Sequence, residues 1–167
     1  MDKIKGRVWK FGDSVSTDSI ISGKYKFKTL DMDELAKHVM EDLDPAFYSK
    51  ITSGDFIVAG RNFGLGSSRE QAPLVIKHAK IAAVIAQSFA RIFFRNAINT
   101  GLPLIVCKDA GKIDAGDVLE VDPSAGVIRD VTKNIELKAE PLPPVMINIL
   151  NDGGLAEHII KHGGFNL

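Results

Sequence analysis

The sequence predicts a single mixed α/β domain, and three observations carry that expectation. Short continuous apolar segments, DFIVA at 55–59, AAVIA at 82–86 and LPLIV at 102–106, alternate with helical patterns. That alternation implies strands in a sheet covered on at least one face. The chain has 167 residues, a length that suits one core of ordinary size. No internal repeat or low-complexity linker divides it, so the expected domain runs over residues 1–167.

The elements follow in order. KGRVWKF at 5–11 alternates polar and apolar residues, the period of a strand. A polar stretch follows, Gly12 to Asp18 (GDSVSTD). Lys24 to Thr29 (KYKFKT) has the period of a short strand and equally the composition of an exposed loop whose lysines snorkel. Asp31 or Asp33 caps a helix expected to reach Met40, because Leu35, Val39 and Met40 share a face. Asp44-Pro45 ends that helix or opens a short second turn. After the strand at 55–59, helices are expected from Pro73 to Lys80 and from Phe89 to Asn99, the second behind a Ser88 cap. Val118–Val121 and Val127-Ile128, joined by DPSAG at 122–126, predict a β-hairpin, and Ile135–Leu137 adds a strand. Helical patterns at 145–150 and 155–161 close the chain, interrupted by Gly153-Gly154 and stopped by Gly163-Gly164.

Composition excludes several function classes. Lys plus Arg number 21 and Asp plus Glu 21, a balance that argues against nucleic acid, whose binding requires clustered cations. Cys107 is the only cysteine, so neither an intramolecular disulfide nor a cluster held by several thiolates of this chain can form. No apolar run approaches a membrane span and none at the start suits a signal peptide. A cytoplasmic protein is expected.

The chemistry gathers at Gly60 to Glu70, GRNFGLGSSRE, between a strand and a helical pattern. Backbone N–H groups converge at such a junction and hold anions. Gly64 and Gly66 permit positive φ and close backbone approach. Ser67 and Ser68 add hydroxyls, Ser67-x-x-Glu70 fits a capping box, and Arg69 offers a planar fork of donors for a carboxylate or phosphate. The segment lacks the Gly-Lys-Ser/Thr of a nucleoside-triphosphate loop and the third glycine of a dinucleotide loop. A di- or tricarboxylate fits better; a glycine-rich turn before a capped helix is the bland alternative. Arg91 and Arg95, four apart, either face this loop or cover their helix. His158 and His162 share a helical face without HExxH or a third ligand, so they read as helix-end histidines and no metal is assigned. His38 and His78 read as structural or solvated, and Cys107 as a core residue.

Residues 60–74, GRNFGLGSSREQAPL, resemble the signature of aconitase-type swivel domains, most nearly that of isopropylmalate dehydratase small subunits. DSVSTD at 13–18 resembles the family's D-x-x-x-T-D element. SFARIFFRNAINTGLP at 88–103 resembles its S-F-A-R-I-F-x-R-N block. The resemblance spans about residues 5–107; Gln71 stands where many relatives have His. It implies a three-layer β/β/α swivel fold docking on a large subunit that carries a [4Fe–4S] cluster. It also implies that Ser67 is the base that takes a proton from carbon, with Gly66, Ser68 and Arg69 holding a substrate carboxylate. Asp18 is expected to orient the serine or a water, or else to be an Asx-turn residue. The loop holding Lys26, Phe27 and Lys28 would face the variable substituent. Phe27 stands where homoaconitase-like relatives carry arginine, which favours an alkyl-substituted malate, isopropylmalate first. Dimethylmalate, methylcitrate and homocitrate remain open, as does a non-catalytic carboxylate-binding module.

Overall fold

The computed structural model describes residues 1–25 and 28–164. Lys26 and Phe27, two of the expected substrate residues, lie outside the described residues.

Seven strands form one sheet: β1 (Ile4–Lys10), β2 (Phe56–Ala59), β3 (Ala83–Ala86), β4 (Leu104–Val106), β5 (Val118–Asp122), β6 (Val127–Asp130) and β7 (Ile135–Lys138). Their order is β4-β3-β2-β1-β5-β6-β7. The half from β4 to β1 is parallel, and the half from β1 to β7 is antiparallel. β1 serves both halves in succession. Residues 4–7 pair with β5, and Val8, Trp9 and Lys10 pair with β2.

Two faces of the parallel strands explain their continuous apolar sequences. Phe56, Val58, Ala83, Ile85 and Ile105 point one way and pack with Leu119, Val121, Ile128 and Leu137 of the antiparallel half. Ile57, Ala59, Val84, Ala86 and Leu104 point the other way, into a second core under the helices. A strand with one apolar side would alternate; these bury both. The result is sheet on sheet on helix, the expected β/β/α arrangement.

The helices of the third layer include α1 (Thr17–Ile20), α2 (Met32–Ala36), α3 (Phe47–Lys50), α4 (Gln71–His78) and α5 (Arg91–Thr100). α6 (Pro144–Asn151) and α7 (Leu155–His162) form a hairpin whose small core includes Ile98 of α5. Gly153 (φ +95°) and Gly154 (φ +138°) make its turn. A Cβ on Gly154 would stand 2.7 Å from the Asn99 carbonyl oxygen, so only glycine allows the hairpin to sit this close to α5.

Two local expectations are corrected. Asp31 caps α2 by accepting from Asp33 N, but the helix ends at Ala36. Met40 instead takes φ +56° and donates its N–H to the Ile20 carbonyl. It is buried with Leu35 and Val39 through turns rather than a continuous helix. Ser88 does not cap α5, whose N-cap is Ala90. Its hydroxyl accepts from Asn62 N at 2.8 Å and so restrains the loop after β2. Residues 23–25 form a 3₁₀ turn, the loop rather than the strand of the two readings left open for this segment.

The antiparallel half contains a buried carboxyl with a titration consequence. Asp130 is fully buried, and its Oδ2 has no hydrogen-bond partner among the described residues. Burial, reinforced by the neighbouring Asp117 carboxyl, pushes Asp130 above the usual carboxylate range, although Lys133 N donates to its Oδ1 at 3.0 Å. A folded-state pKa above the unfolded one stabilises the fold at low pH, and that contribution is lost as pH rises through the raised value. Asp130→Asn keeps the acceptor and supplies an N–H₂ toward Asp117. It is expected to stabilise the protein by about 1 kcal/mol at pH 7 and by less at pH 4, read from urea midpoints at the two pH values.

Candidate active site

β1 and β2 are parallel neighbours, so the loops at their C-terminal ends lie side by side. They are joined as a seam. Ser14 N donates to the Arg61 carbonyl (2.8 Å), Gly64 N to Val15 (2.7 Å) and Thr17 N to Leu65 (2.9 Å). The Asp13 carboxylate accepts from Arg61 N at 2.7 Å. At the end of the seam the buried Thr17 hydroxyl donates to the Ser67 carbonyl at 2.9 Å. Ser67 is therefore anchored through its own backbone.

Aromatic packing supports the seam from below. Phe63 is fully buried and meets Phe89 and Phe93 edge-on, with centroids 6.0 and 5.5 Å apart. Gly64 follows at φ +86°, where a Cβ would stand 2.2 Å from the Phe93 ring. The glycine thus lets the loop lie directly on α5.

Above this base opens a cleft of about 230 Å³, lined by Thr17, Gly64 and Gly66 to Arg69 on one side and by residues 90–93 and Asn96 of α5 on the other. Among the described residues, the N–H groups of Gly66, Ser67 and Ser68 donate to no protein acceptor. Ser67 and Ser68 are exposed in the cleft. The expected capping box is not formed, because α4 begins only at Gln71 behind Glu70, which makes no side-chain cap bond. Tying the Ser67 carbonyl to Thr17 keeps residues 67–69 out of the helix and leaves their polar groups facing the cleft.

Arg69 is held more firmly than a surface arginine. Nη1 donates to the Ile21 carbonyl at 3.1 Å, and Nη2 pairs with Asp18 Oδ1 at 2.5 Å. Its side chain is 18% exposed, against 64% for Asp18. The Asp18 carboxylate therefore pairs with the arginine, a contact outside its expected roles of orienting the serine or a water or of making an Asx turn. Arg91 lines the cleft, whereas Arg95 lies exposed outside the lining. Lys28 is also outside the lining, with its ammonium 5.4 Å from the Tyr25 ring centroid.

Three contacts carried no signal in the sequence: those made by the Thr17 hydroxyl, the Ile21 carbonyl, and Asn96, whose Nδ2 donates to Ser68 Oγ at 3.3 Å. Thr17 and Asn96 fall inside the motifs, but their partners lie 50 and 28 residues away and only the fold brings them into range.

Cys107 is buried, its Sγ donating to the Lys138 carbonyl at 3.4 Å, and burial pushes its thiol up. It is unsuited to ligate a cluster. No helix among the described residues is long and apolar enough to cross a membrane.

Comparison with known proteins sets this geometry in a family. The model of the aconitase C-terminal domain matches residues 14–109, the stretch that contains the seam and the cleft. The chain is 56% identical over 165 residues to 3-isopropylmalate dehydratase small subunit 2 of Archaeoglobus fulgidus, covering 99% of each. It is 55% identical over 159 residues to the methanogen homoaconitase small subunit of Methanothermobacter thermautotrophicus, covering 95% of this chain and 91% of that one. The crystal structure of 3-isopropylmalate dehydratase from Methanocaldococcus jannaschii superposes with a TM-score of 0.93 at 48% identity, over 97% of this chain and 96% of that one. Sequence motifs, fold and full-length relatives coincide, and the chain belongs to the aconitase C-terminal domain family, among the small subunits of hydro-lyases of the 3-isopropylmalate dehydratase type.

Proposed function

We propose that this chain pairs with an iron–sulfur large subunit to interconvert 2-isopropylmalate and 3-isopropylmalate by dehydration and rehydration. Ser67 is the base and Arg69 the principal carboxylate clamp. The observation that carries the proposal is the Ser67–Ser68–Arg69 segment, pinned by Thr17 and facing a cleft with three backbone N–H groups available.

Each residue has work suited to its surroundings. Ser67 Oγ takes the proton from the carbon adjacent to the one that bears the departing hydroxyl. An alkoxide is costly in water, and nearby N–H donors and guanidinium charge lower that cost once solvent is excluded. Arg69 receives one substrate carboxylate on its fork, with Ser68 and the Gly66 N–H beside it. Asp18 holds the guanidinium in place rather than touching the reacting carbon. Ala90, Ile92 and Phe93 give the opposite wall an apolar surface suited to an alkyl substituent. When bound, the cluster of the large subunit supplies Lewis acidity toward the departing hydroxyl. The pair works in the cytoplasm, where a thiol such as Cys107 stays reduced.

A second reading, action on homoaconitate, is supported by the 55% identity to the methanogen small subunit. Steady-state rates of the reconstituted pair on isopropylmalate, dimethylmalate and homocitrate separate the two. An alkyl-malate preference is expected, and a preference for the tricarboxylate would assign the second.

Two substitutions test the roles. Ser67→Ala is expected to lower kcat by about 10²–10⁴-fold while the two subunits still co-elute in gel filtration. Near-normal turnover would remove Ser67 as the base. Arg69→Lys is expected to raise KM by roughly 10–100-fold, because an ammonium cannot reproduce the bidentate fork.

A further inference from the structure

The cleft is not the only place where chemistry-bearing side chains converge. The α6–α7 hairpin brings Asp152, the residue that ends α6, back over the face of α7 that carries His158 and His162. Asp152 Oδ2 lies 2.7 Å from His158 Nδ1 and 2.8 Å from His162 Nε2. The three donor atoms all lie within 4.8 Å of one another. The third group that the sequence lacked near the histidine pair is therefore supplied across the Gly153-Gly154 turn.

We propose that Asp152, His158 and His162 form a binding site for one divalent transition-metal ion of the zinc class. Nothing in the cleft chemistry requires it, and the two sites share no lining residue.

Geometry and donor chemistry support the assignment. Histidines four apart on a helix present their rings on one face, a spacing that suits chelation. With bonds of about 2.0–2.1 Å, ligand atoms of a tetrahedral zinc centre stand roughly 3.3 Å apart. Opening the two Asp152 contacts by about half an ångström, and bringing the two ring nitrogens, which lie within 4.8 Å of each other, to the same spacing, would admit an ion at that bond length. Two imidazole nitrogens and one carboxylate oxygen favour zinc, nickel, copper or cobalt over magnesium and calcium, which prefer all-oxygen shells. His158 is buried and so arrives already oriented, while His162 is partly exposed. A cleft of about 320 Å³ bordered by Asn148 and Asn151 leaves room for a water or amide oxygen to complete the shell.

Lys161 is the group that opposes a cation here. Its ammonium bonds Asp152 Oδ1 at 2.7 Å, on the other carboxylate oxygen from the histidines. It leaves Oδ2 as the ligand and weakens binding only through charge. That position separates a metal site from a purely hydrogen-bonded staple. Removing Lys161 should strengthen the first and weaken the second.

The test is calorimetric titration of the untagged full chain with zinc chloride and with nickel chloride in metal-free buffer at pH 7.5. Melting curves with and without metal accompany it. One ion per chain at micromolar affinity or better is expected, with a higher melting temperature in its presence. His162→Ala, a change on the exposed last turn of α7, should weaken binding at least tenfold while circular dichroism remains native. Lys161→Ala should bind as tightly as wild type or more so. Absence of saturable binding below millimolar metal overturns the proposal. So does unchanged affinity in His162→Ala, which would place the ion elsewhere, or a tenfold loss in Lys161→Ala, which would mark the cluster as a staple.

Discussion

The backbone seam between the loops after β1 and β2 is the constraint on which the candidate site depends. Neighbouring parallel strands deliver both loops to the same edge, and direct amide-to-carbonyl bonds then fasten residues 14–17 to residues 61–65. Each such bond contributes only about 1 kcal/mol net, but together they leave the loop few alternatives. Phe63 fills the space beneath, and Gly64 has no room for a side chain over Phe93. Ser67, Ser68 and Arg69 inherit their positions from this arrangement rather than from a helix.

The same edge gathers positive charge in a chain with no net charge. Charges balance over the whole sequence, yet Arg69 and Arg91 line one cleft beside backbone N–H groups that have no acceptor among the described residues. Asp18 restrains Arg69 through one nitrogen of a fork that has five N–H donors. Ser67 stands exposed in an open cleft, where water makes an alkoxide expensive. On the proposed assignment, a covering partner that excludes water would lower that cost. Its single thiol is buried at the end of β4, away from such chemistry.

At the other end of the helical layer, the α6–α7 hairpin follows a similar logic on a smaller scale. Two glycines reverse the chain so tightly that the end of α6 meets the last turns of α7, and polar groups distant along the helix axis converge on one carboxylate. Lys161 and then His158 are the largest influences holding the Asp152 carboxyl well below its usual range, so it is an anion at neutral pH.

Much of this protein was legible in its sequence because the signals were local. Uninterrupted apolar strands at 56–59 and 83–86 implied cover on at least one face, which the fold extends to both, and the DPSAG turn implied a hairpin. The GLGSSR segment marked the candidate site, since glycine and serine are spaced there for backbone approach rather than for packing. The helix starts assigned to Ser67 and Ser88 failed for a common reason. Each serine found a stronger use across the fold, Ser67 through its carbonyl to Thr17 and Ser88 through its hydroxyl to Asn62. The partners of Asp18 and Asn96 and the meeting of Asp152 with two histidines were decided by tertiary structure alone. Residue types and short-range periodicity determine which groups a chain carries and which elements it forms; which groups come within 3 Å of one another depends on loops closed over tens of residues, and a one-dimensional pattern contains no such distance.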